Sequence, residues 1–215
     1  MLISVIMPTV PGREEIYARC RDAYLGHGCG PHGLQVLTEY DHPVVGAAWQ
    51  AGAEKATGDF LHFTNDDCEP HPGWWEPAIE ATERGYVPAP QVYGPAGDPQ
   101  APPEWGRVGP DWTPIAPKDA SVIPFLSRAQ WGKVGPLARI HYYSDNFLTD
   151  RARAAGWPCV LRTGYAFTHH WAQARRGAGM TQDQRMEHDR GLYEQATKMC
   201  EAGQWTEPWP PGGTR

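Results

Sequence analysis

Short apolar runs alternate along the first third of the chain with stretches in which apolar residues recur at helical spacing. The runs at 3–7, 34–38 and 60–63 predict three strands, and the periodic stretches at 13–25 and 45–56 predict two helices. Strands that alternate with helices of this length favour a mostly parallel sheet. We therefore expect an α/β domain with a central sheet flanked by helices.

The pattern changes after a short helix predicted at 74–84. Nine of the 22 prolines lie between Tyr86 and Ala120, and we expect this stretch to be a long loop without regular structure. The pattern beyond it predicts strands at 122–126 and 160–163, a helix capped by Ser127, and helices at 147–155 and 182–200. We expect a single domain over residues 1–204, with halves 1–85 and 86–204, and an extended tail at 205–215.

Composition excludes several classes of protein. The chain has 215 residues, of which 40% are hydrophobic, enough for the core of one domain. No run approaches the roughly 20 apolar residues of a membrane span, and Met1–Val10 lacks the basic lead and cleavage site of a signal peptide. We therefore expect no membrane contact. The five cysteines are irregularly spaced and form no CxxC pair, so we expect no disulfide framework, no zinc ribbon and a cytoplasmic location.

Charge is distributed unevenly between the two parts of the sequence. The formal net charge is −6, but residues 1–120 hold 17 acidic and 7 basic side chains, whereas residues 121–215 hold 8 acidic and 12 basic ones. The two parts are therefore expected to contact different partners. The net charge does not exclude an anionic partner for the second part.

Acidic residues cluster where two of the predicted strands end. Glu39-Tyr40-Asp41 follows the second strand and Asn65-Asp66-Asp67 follows the third. Ligands of parallel sheets gather at the carboxyl ends of strands. Adjacent carboxylates repel each other unless a cation is present, and their oxygen atoms suit Mg²⁺ or Mn²⁺. The alternative is that Asn-Asp-Asp is only a turn, since these residues favour turns.

Several short motifs follow one another between residues 3 and 171. They are Ser4-Val5-Ile6-Met7-Pro8-Thr9, the acids after the second strand, Ala56-Thr57-Gly58-Asp59-Phe60, Asn65-Asp66-Asp67, Pro72-Gly73-Trp74-Trp75, Val134-Gly135-Pro136, Ser144-Asp145-Asn146 and His169-His170. None is specific alone, but their order and spacing resemble those of family 2 glycosyltransferases with the GT-A fold, a Rossmann-like α/β architecture.

The resemblance implies a site for a nucleotide-sugar donor, with a UDP-sugar expected. Pro8 and Thr9 would line the nucleotide pocket together with an acid, either Glu39 or Asp41. In the family's DxD motif the first, second and third positions correspond to Asn65, Asp66 and Asp67. Arg13 would pair with the diphosphate, or it is an ordinary surface arginine.

A divalent cation, Mn²⁺ or Mg²⁺, is also implied by the resemblance. Asp67 would be one ligand, and His169 or His170 would be a second. Adjacent residues of a strand point to opposite faces, so only one of the two histidines should reach the cation, and we favour His169. The alternative is that both are surface histidines. Imidazole suits Mn²⁺ better than Mg²⁺.

Asp145 corresponds to the acid that serves as general base in the family. It would take the proton of an acceptor hydroxyl that attacks the sugar, a single displacement that inverts configuration. The alternative is an N-cap for the helix at 147–155. Trp105 and Trp112 lie in the proline-rich loop, which we interpret as a lid on the acceptor side.

Some positions depart from the family pattern. Trp49-Gln50 stands where an Arg-Asn pair is common, and Asn65 replaces the usual first Asp, which removes a charge. Arg175-Arg176, in a basic loop, is a further candidate for the diphosphate.

Two other functions fit part of the sequence. A nucleotidyltransferase also places acids at strand ends, but it usually has a glycine-rich basic loop after its first strand, which residues 8–13 match poorly. A non-catalytic module that binds carbohydrate or nucleic acid would explain the ten tryptophans but not Asp67 or Asp145. For an enzyme, the acceptor is expected to be either an anionic substrate, such as a hydroxymethylated base in DNA, or a soluble glycan or protein.

Overall fold

Strands and helices alternate along the chain in the order that the sequence pattern predicts for its first part. The computed structural model describes residues 1–40, 42, 44–99, 109–117, 119–170 and 181–205. The elements are β1 (Leu2–Thr9), α1 (Glu14–His27), β2 (Gly33–Tyr40), α2 (Val45–Lys55), β3 (Phe60–Phe63), β4 (Cys68–Pro70), α3 (Trp75–Glu83), β5 (Val87–Tyr93), β6 (Thr113–Pro114), β7 (Phe125–Ser127), α4 (Arg128–Val134), α5 (Ser144–Ala154), β8 (Cys159–His169) and α6 (Gln182–Glu201).

The central sheet has four strands in the order β2-β1-β3-β7. Strand β1 pairs in parallel with β2 on one side and with β3 on the other, and β7 adds an antiparallel edge. The carboxyl ends of β1, β2 and β3 therefore meet at one edge of the sheet. The predicted α/β fold with a mostly parallel central sheet is confirmed.

A second sheet, in the order β4-β8-β5 with β6 also paired to β8, was not predicted. The prediction of an irregular stretch between Tyr86 and Ala120 is wrong at its beginning, because Val87–Tyr93 forms β5 and pairs in parallel with β8. Among the strands of the described residues, only β8 pairs with β5, and an isolated bridge joins Tyr93 to Pro99. Proline is tolerated on an edge strand because no neighbour needs its missing N–H donor. The high proline content of this stretch is therefore compatible with an edge strand as well as with a loop.

Three boundaries in the second half also differ from the prediction. Helix α5 begins at Ser144 rather than at residue 147, β7 begins at Phe125 rather than at residue 122, and β8 ends at His169 rather than at residue 163. The Ser127 cap of α4 is confirmed, since its hydroxyl accepts from the N–H of Gln130 in a capping box. Helix α6 extends over nearly the range that was expected.

The core consists of two apolar clusters. Alternation along β1 separates them, because Ile6 belongs to one cluster and Val5 and Met7 belong to the other. The first cluster includes Trp49 of α2 and Phe147 of α5, and the second includes Tyr24, Trp74 and Phe167. Trp205, the first residue of the predicted tail, packs against the first cluster. No helix among the described residues is long and apolar enough to cross a membrane.

Candidate active site

The Asn65-Asp66-Asp67 segment connects β3 to β4 at the carboxyl end of the central sheet. Its backbone is held on both sides. The Trp49 indole N–H of α2 donates to the Thr64 carbonyl over 2.9 Å, and the Cys68 N–H donates to the Asn65 carbonyl over 3.2 Å. The segment is therefore a turn, as its composition indicates, and also a fixed one that presents two buried carboxylates.

Arg13, one residue before α1, binds both carboxylates. Its Nε and Nη2 donate to the two oxygens of Asp66 over 2.8 and 2.6 Å, and Nη2 also donates to Oδ2 of Asp67 over 3.0 Å. The Thr9 hydroxyl donates to Oδ2 of Asp66 over 2.7 Å. Burial works against the Arg13 charge, but the two carboxylates raise its pKa above the usual value. Three of the predicted donor-binding residues thus bind one another.

The other carboxylate oxygen of Asp67 faces the end of β8. Oδ1 lies 3.4 Å from Nε2 of His169. Burial alone would raise the pKa of Asp67, but the hydrogen bond and charge of His169, together with Arg13, lower it below the usual value. An ionised carboxylate oxygen that faces an imidazole nitrogen suits Mn²⁺, so these two side chains fit the predicted divalent cation.

His170 faces away from this pair. Its Nε2 lies 2.8 Å from Oε2 of Glu69, which also accepts from Arg19 of α1. Its backbone N–H donates to the Asp67 carbonyl over 2.8 Å. The structure therefore brings the imidazole of His169, and not that of His170, next to the Asp67 carboxylate.

Cys68 joins Asp67 and the half-buried His169 in a cluster that no sequence pattern predicted. One donor atom from each of the three residues lies within 4.8 Å of the others. Strand pairing explains the proximity, because Cys68 and His169 are directly opposite in the antiparallel β4–β8 ladder and so share a face. The sequence separation of about a hundred residues leaves no local signal of this contact.

Glu39 is buried at the end of β2 and is bound by the side chains of Lys55 and His42. Both of its oxygens accept from Nζ of Lys55 over 2.9 Å, and Nε2 of His42 lies 3.1 Å from Oε2. Pro8 is half-buried and lies opposite Glu39 in the β1–β2 ladder. Asp41, the alternative acid for the nucleotide pocket, lies outside the described residues.

Asp145 lies in the first turn of α5. The N-cap position belongs to Tyr143, which has a left-handed backbone with φ of 66°, so the N-cap alternative for Asp145 is wrong. Burial raises the pKa of Asp145, and hydrogen bonds from its own backbone N–H and that of Asn146 oppose the shift only in part. A carboxylate with a raised pKa is a stronger proton acceptor than an exposed one.

Asp189 of α6, which no sequence pattern marks as a site residue, holds the loop that leads to Asp145. It is buried, and its Oδ2 accepts from the backbone N–H groups of His141 and Tyr142 over 3.1 and 2.9 Å. The Tyr193 ring, one turn along α6, stacks on Tyr143 with a centroid distance of 5.5 Å. A non-glycine residue with positive φ persists only where its surroundings fix it, and α6 supplies those contacts.

Helix α2 contacts both the Asn65-Asp66-Asp67 segment and the loop before Asp145. Trp49 binds the Thr64 carbonyl before Asn65, while the Gly46 N–H donates to the Ile140 carbonyl over 2.9 Å in the loop before Asp145. A side chain at Gly46 would collide with that loop, because an added Cβ would lie 2.1 Å from the Ala138 carbonyl oxygen. Gln50 accepts from the Leu137 N–H over 3.0 Å. Trp49 and Gln50, which depart from the family pattern, thus position both segments.

The loop before Asp145 also carries His141, whose pKa is lowered mainly by burial. Asp189 opposes this shift, whereas the positive charges of Arg185 and Arg13 add to it.

Trp112 lies at the other end of β8. Its ring contacts the guanidinium of Arg162 at 5.0 Å and the ring of Tyr86 at 6.4 Å. Arg162 precedes His169 by seven residues along β8, a distance of about 20 Å in an extended strand. Trp112 is therefore not brought to the Asp67–His169 pair. Trp105 and Arg175-Arg176 lie outside the described residues.

Comparison with known proteins supports the fold and the resemblance. Residues 34–130 match the model of Glycosyl transferase family 2. No curated protein matches the chain. The match covers β2, α2, β3 and the Asn65-Asp66-Asp67 segment, but it ends before Asp145 and His169.

Solved structures share the fold at low sequence identity. The structure of S. aureus TarS residues 1–349 in complex with UDP-GlcNAc superposes with a TM-score of 0.67 and 13% identity over 95% of this chain and 69% of that one. GalNAc-T7 with UDP, GalNAc and Mn²⁺ gives a TM-score of 0.64 and 12% identity over 91% of this chain and 48% of that one. TarS in its longer form is covered over only 37% of its length. The predicted GT-A fold and the likeness to family 2 glycosyltransferases are confirmed.

Proposed function

We propose that the chain is a metal-dependent, inverting glycosyltransferase that moves a sugar from a nucleoside diphosphate donor to an acceptor hydroxyl. The observation that carries the proposal is the 3.4 Å approach of the Asp67 carboxylate to His169 at the carboxyl end of a GT-A sheet. The TarS and GalNAc-T7 structures contain UDP-GlcNAc and UDP respectively, which supports a UDP-sugar as the donor.

Asp67 and His169 would hold the divalent cation, for which Mn²⁺ is the first choice and Mg²⁺ the second. A cation there would stabilise the charge that builds on the departing nucleoside diphosphate. The GalNAc-T7 structure contains Mn²⁺, in line with this choice. The imidazole of His169 favours Mn²⁺ for the same reason.

Arg13, Thr9 and Asp66 would support this site rather than form its inner surface. The Arg13 guanidinium fixes Asp66 with two hydrogen bonds and directs one oxygen of Asp67 away from His169. The second oxygen, which faces His169, would thereby be available to the cation. Asn65 and the segment around Pro8 would contact the nucleotide, with Asp41 supplying the acid because Glu39 is already bound by Lys55 and His42.

Asp145 would act as the general base. Burial gives it a raised pKa, so it binds the proton of an attacking hydroxyl more strongly than an ordinary carboxylate does. Proton transfer to Asp145 accompanies formation of the new glycosidic bond and breakage of the bond to the diphosphate. A single displacement of this kind inverts the anomeric configuration.

The net positive charge of residues 121–215 favours an anionic acceptor. Hydroxymethylated DNA is one such acceptor. Transfer of sugar to it should weaken steeply as salt rises, because contacts to phosphates depend on counterion release. Transfer only to soluble glycans or proteins, with no transfer to DNA at low salt, would reject this choice and leave the donor reaction intact.

The donor reaction is tested by slow hydrolysis of UDP-sugars with Mn²⁺ in the absence of an acceptor. We expect release of UDP from at least one donor by the unmodified chain and none after Asp67→Ala. Asp22→Ala, which removes an exposed carboxylate of α1, is the matched control and should retain the reaction. Hydrolysis that survives Asp67→Ala would overturn the role of Asp67, and the absence of turnover or binding of any nucleotide sugar would favour a non-catalytic module.

A further inference from the structure

We propose that Cys68 is a third protein ligand of the cation at Asp67 and His169, which makes this a site for thiolate-binding divalent cations. The inference rests on the proposed function for the existence of a cation there, and it extends that function to the ligand set and the metal preference. Cations of this class are Zn²⁺, Co²⁺ and Cd²⁺.

The distances among the three side chains carry the proposal. Oδ1 of Asp67 lies 3.4 Å from Nε2 of His169 and 3.7 Å from Sγ of Cys68, and all three donor atoms lie within 4.8 Å of one another. Bonds to tetrahedral zinc are about 2.0 Å for oxygen and nitrogen and about 2.3 Å for sulfur, which separates the ligand atoms by about 3.3 to 3.7 Å. A small shift of the side chains would complete such a set.

The two oxygens of Asp67 face different partners. Oδ2 accepts from Arg13 over 3.0 Å, while Oδ1 faces the thiol and the imidazole. The guanidinium therefore orients the carboxylate without occupying the oxygen that the cation would use. Three protein ligands leave a fourth position open, the arrangement of catalytic rather than structural zinc sites, and a diphosphate oxygen would fit that position.

Strand pairing fixes the thiol in place. Cys68 begins β4 and lies directly opposite His169 at the end of β8, so both side chains share a face of the second sheet. The alternative is that Cys68 only fills space, since it also belongs to the apolar cluster that contains Cys20 and Tyr24. A core cysteine needs no polar neighbour, whereas this one lies beside the carboxylate and imidazole of the site.

A site with only oxygen donors would favour Mg²⁺, whereas a thiolate ligand changes which divalent cation binds most tightly. Sulfur binds Zn²⁺, Co²⁺ and Cd²⁺ more tightly than it binds Mg²⁺. Metal binding requires the ligating sulfur to be a thiolate, so Cys68 would release its proton to solvent as the sulfur–metal bond forms. The site should therefore bind Zn²⁺ far more tightly than Mg²⁺ and accept Mn²⁺ with intermediate affinity.

Titration of the full chain with Co²⁺ alone tests the proposal by absorbance. We expect a near-ultraviolet sulfur-to-cobalt charge-transfer band in the unmodified chain, its loss in Cys68→Ser, and its retention in Cys200→Ser, which removes a cysteine of α6. Calorimetry should show that Cys68→Ser binds Zn²⁺ at least about tenfold more weakly. Mutation of a residue that only hydrogen-bonds to a metal ligand already lowers metal affinity by about this factor.

Circular dichroism and thermal unfolding identify a variant that fails to fold. Should Cys68→Ser be unfolded, Cys68→Ala gives the same information. Cobalt binding without the band, a band that persists in Cys68→Ser, or no cobalt binding at all would overturn the proposal.

The two proposals fail in different ways. If Mn²⁺-dependent hydrolysis of a UDP-sugar occurs in the unmodified chain but cobalt gives no thiolate band, the Cys68 proposal is wrong and the donor reaction stands. If the band is present but no UDP-sugar binds or reacts, the metal site stands and the proposed function is wrong.

Discussion

Arg13 donates to both oxygens of Asp66, and this pair is buried at the carboxyl end of the central sheet. The same guanidinium reaches Asp67. Two adjacent carboxylates are thereby held at low solvent exposure before any cation binds. The pairing explains how the chain folds with two acids in a buried turn.

Removal of the Arg13 guanidinium should therefore destabilise the fold. We expect Arg13→Ala to lower the free energy of unfolding by about 3–5 kcal/mol, the usual cost of leaving buried charges uncompensated. Arg21→Ala, on the exposed face of α1 where Arg21 pairs with Asp22, should cost less than about 1 kcal/mol. Urea unfolding measures both, and equal effects of the two substitutions would contradict the role of Arg13.

Asp145 is predicted to accept the acceptor proton. Asp145→Asn should lower kcat by about 10²- to 10⁴-fold, the range for loss of a general base, while the affinity for UDP stays unchanged. Because burial raises the pKa of Asp145 above its usual value of 3.8, the rate of the unmodified enzyme should fall as pH drops through this raised value. Steady-state kinetics across pH tests both points, and an Asp145→Asn enzyme with normal kcat would exclude the role.

Asp189 is predicted to position the loop before Asp145. Asp189→Ala removes the acceptor for the His141 and Tyr142 N–H groups and should lower kcat by roughly 10- to 100-fold through misplacement of the base. The dissociation constant for UDP should not change, since the donor site lies on other elements. Glu187→Gln, an exposed change on α6, is the control. A loss confined to UDP affinity would show that Asp189 acts elsewhere.

His62 should make stability depend on pH. It is fully buried in the second core cluster, where burial lowers its pKa to about 3 and Tyr24 binds its Nε2 over 2.8 Å. In the unfolded chain its pKa is about 6.5, so protons bind the unfolded state first and stability falls as pH drops from about 6.5 toward 3. Between pH 7 and 5 this group alone should cost about 2 kcal/mol.

Comparison of urea unfolding at pH 7 and pH 5 isolates the contribution of His62. His62→Gln retains hydrogen-bonding groups but cannot titrate, so its stability should fall by about 2 kcal/mol less than that of the unmodified chain over this interval. His27→Gln, at an exposed position of α1, should behave like the unmodified chain. Parallel pH dependence in the unmodified chain and His62→Gln would show that His62 is protonated in the folded state.

The first half of the fold could be predicted from the sequence because its signals are local. Alternation of apolar residues around Ile3–Met7 and the helical spacing that contains Trp49 each predict one element without reference to the rest of the chain. Strand β5 was missed because proline content indicates a loop unless the strand is known to lie at an edge. The start of α5 was missed because the left-handed backbone of Tyr143 is fixed by Tyr193 of α6, a tertiary contact.

The candidate site was predictable where a motif marks it and not where only the fold assembles it. Asn65-Asp66-Asp67 and His169 were identified by order along the chain, and the structure brings Asp67 and His169 together. The Arg13–Asp66 pair, the proximity of Cys68 to His169 and the contact of Asp189 with the 141–142 loop join residues far apart in sequence. No local pattern predicts these contacts, because sheet pairing and helix packing create them.

The most direct measurement is calorimetric binding of UDP in the presence and absence of Mn²⁺, on the unmodified chain and on two adjacent alanine variants. His169→Ala should weaken Mn²⁺-dependent UDP binding by at least about tenfold. His170→Ala should leave it nearly unchanged, because His170 faces Glu69. UDP binding that is the same with chelator as with Mn²⁺, or that depends equally on the two histidines, would contradict a donor site built on a cation at Asp67 and His169.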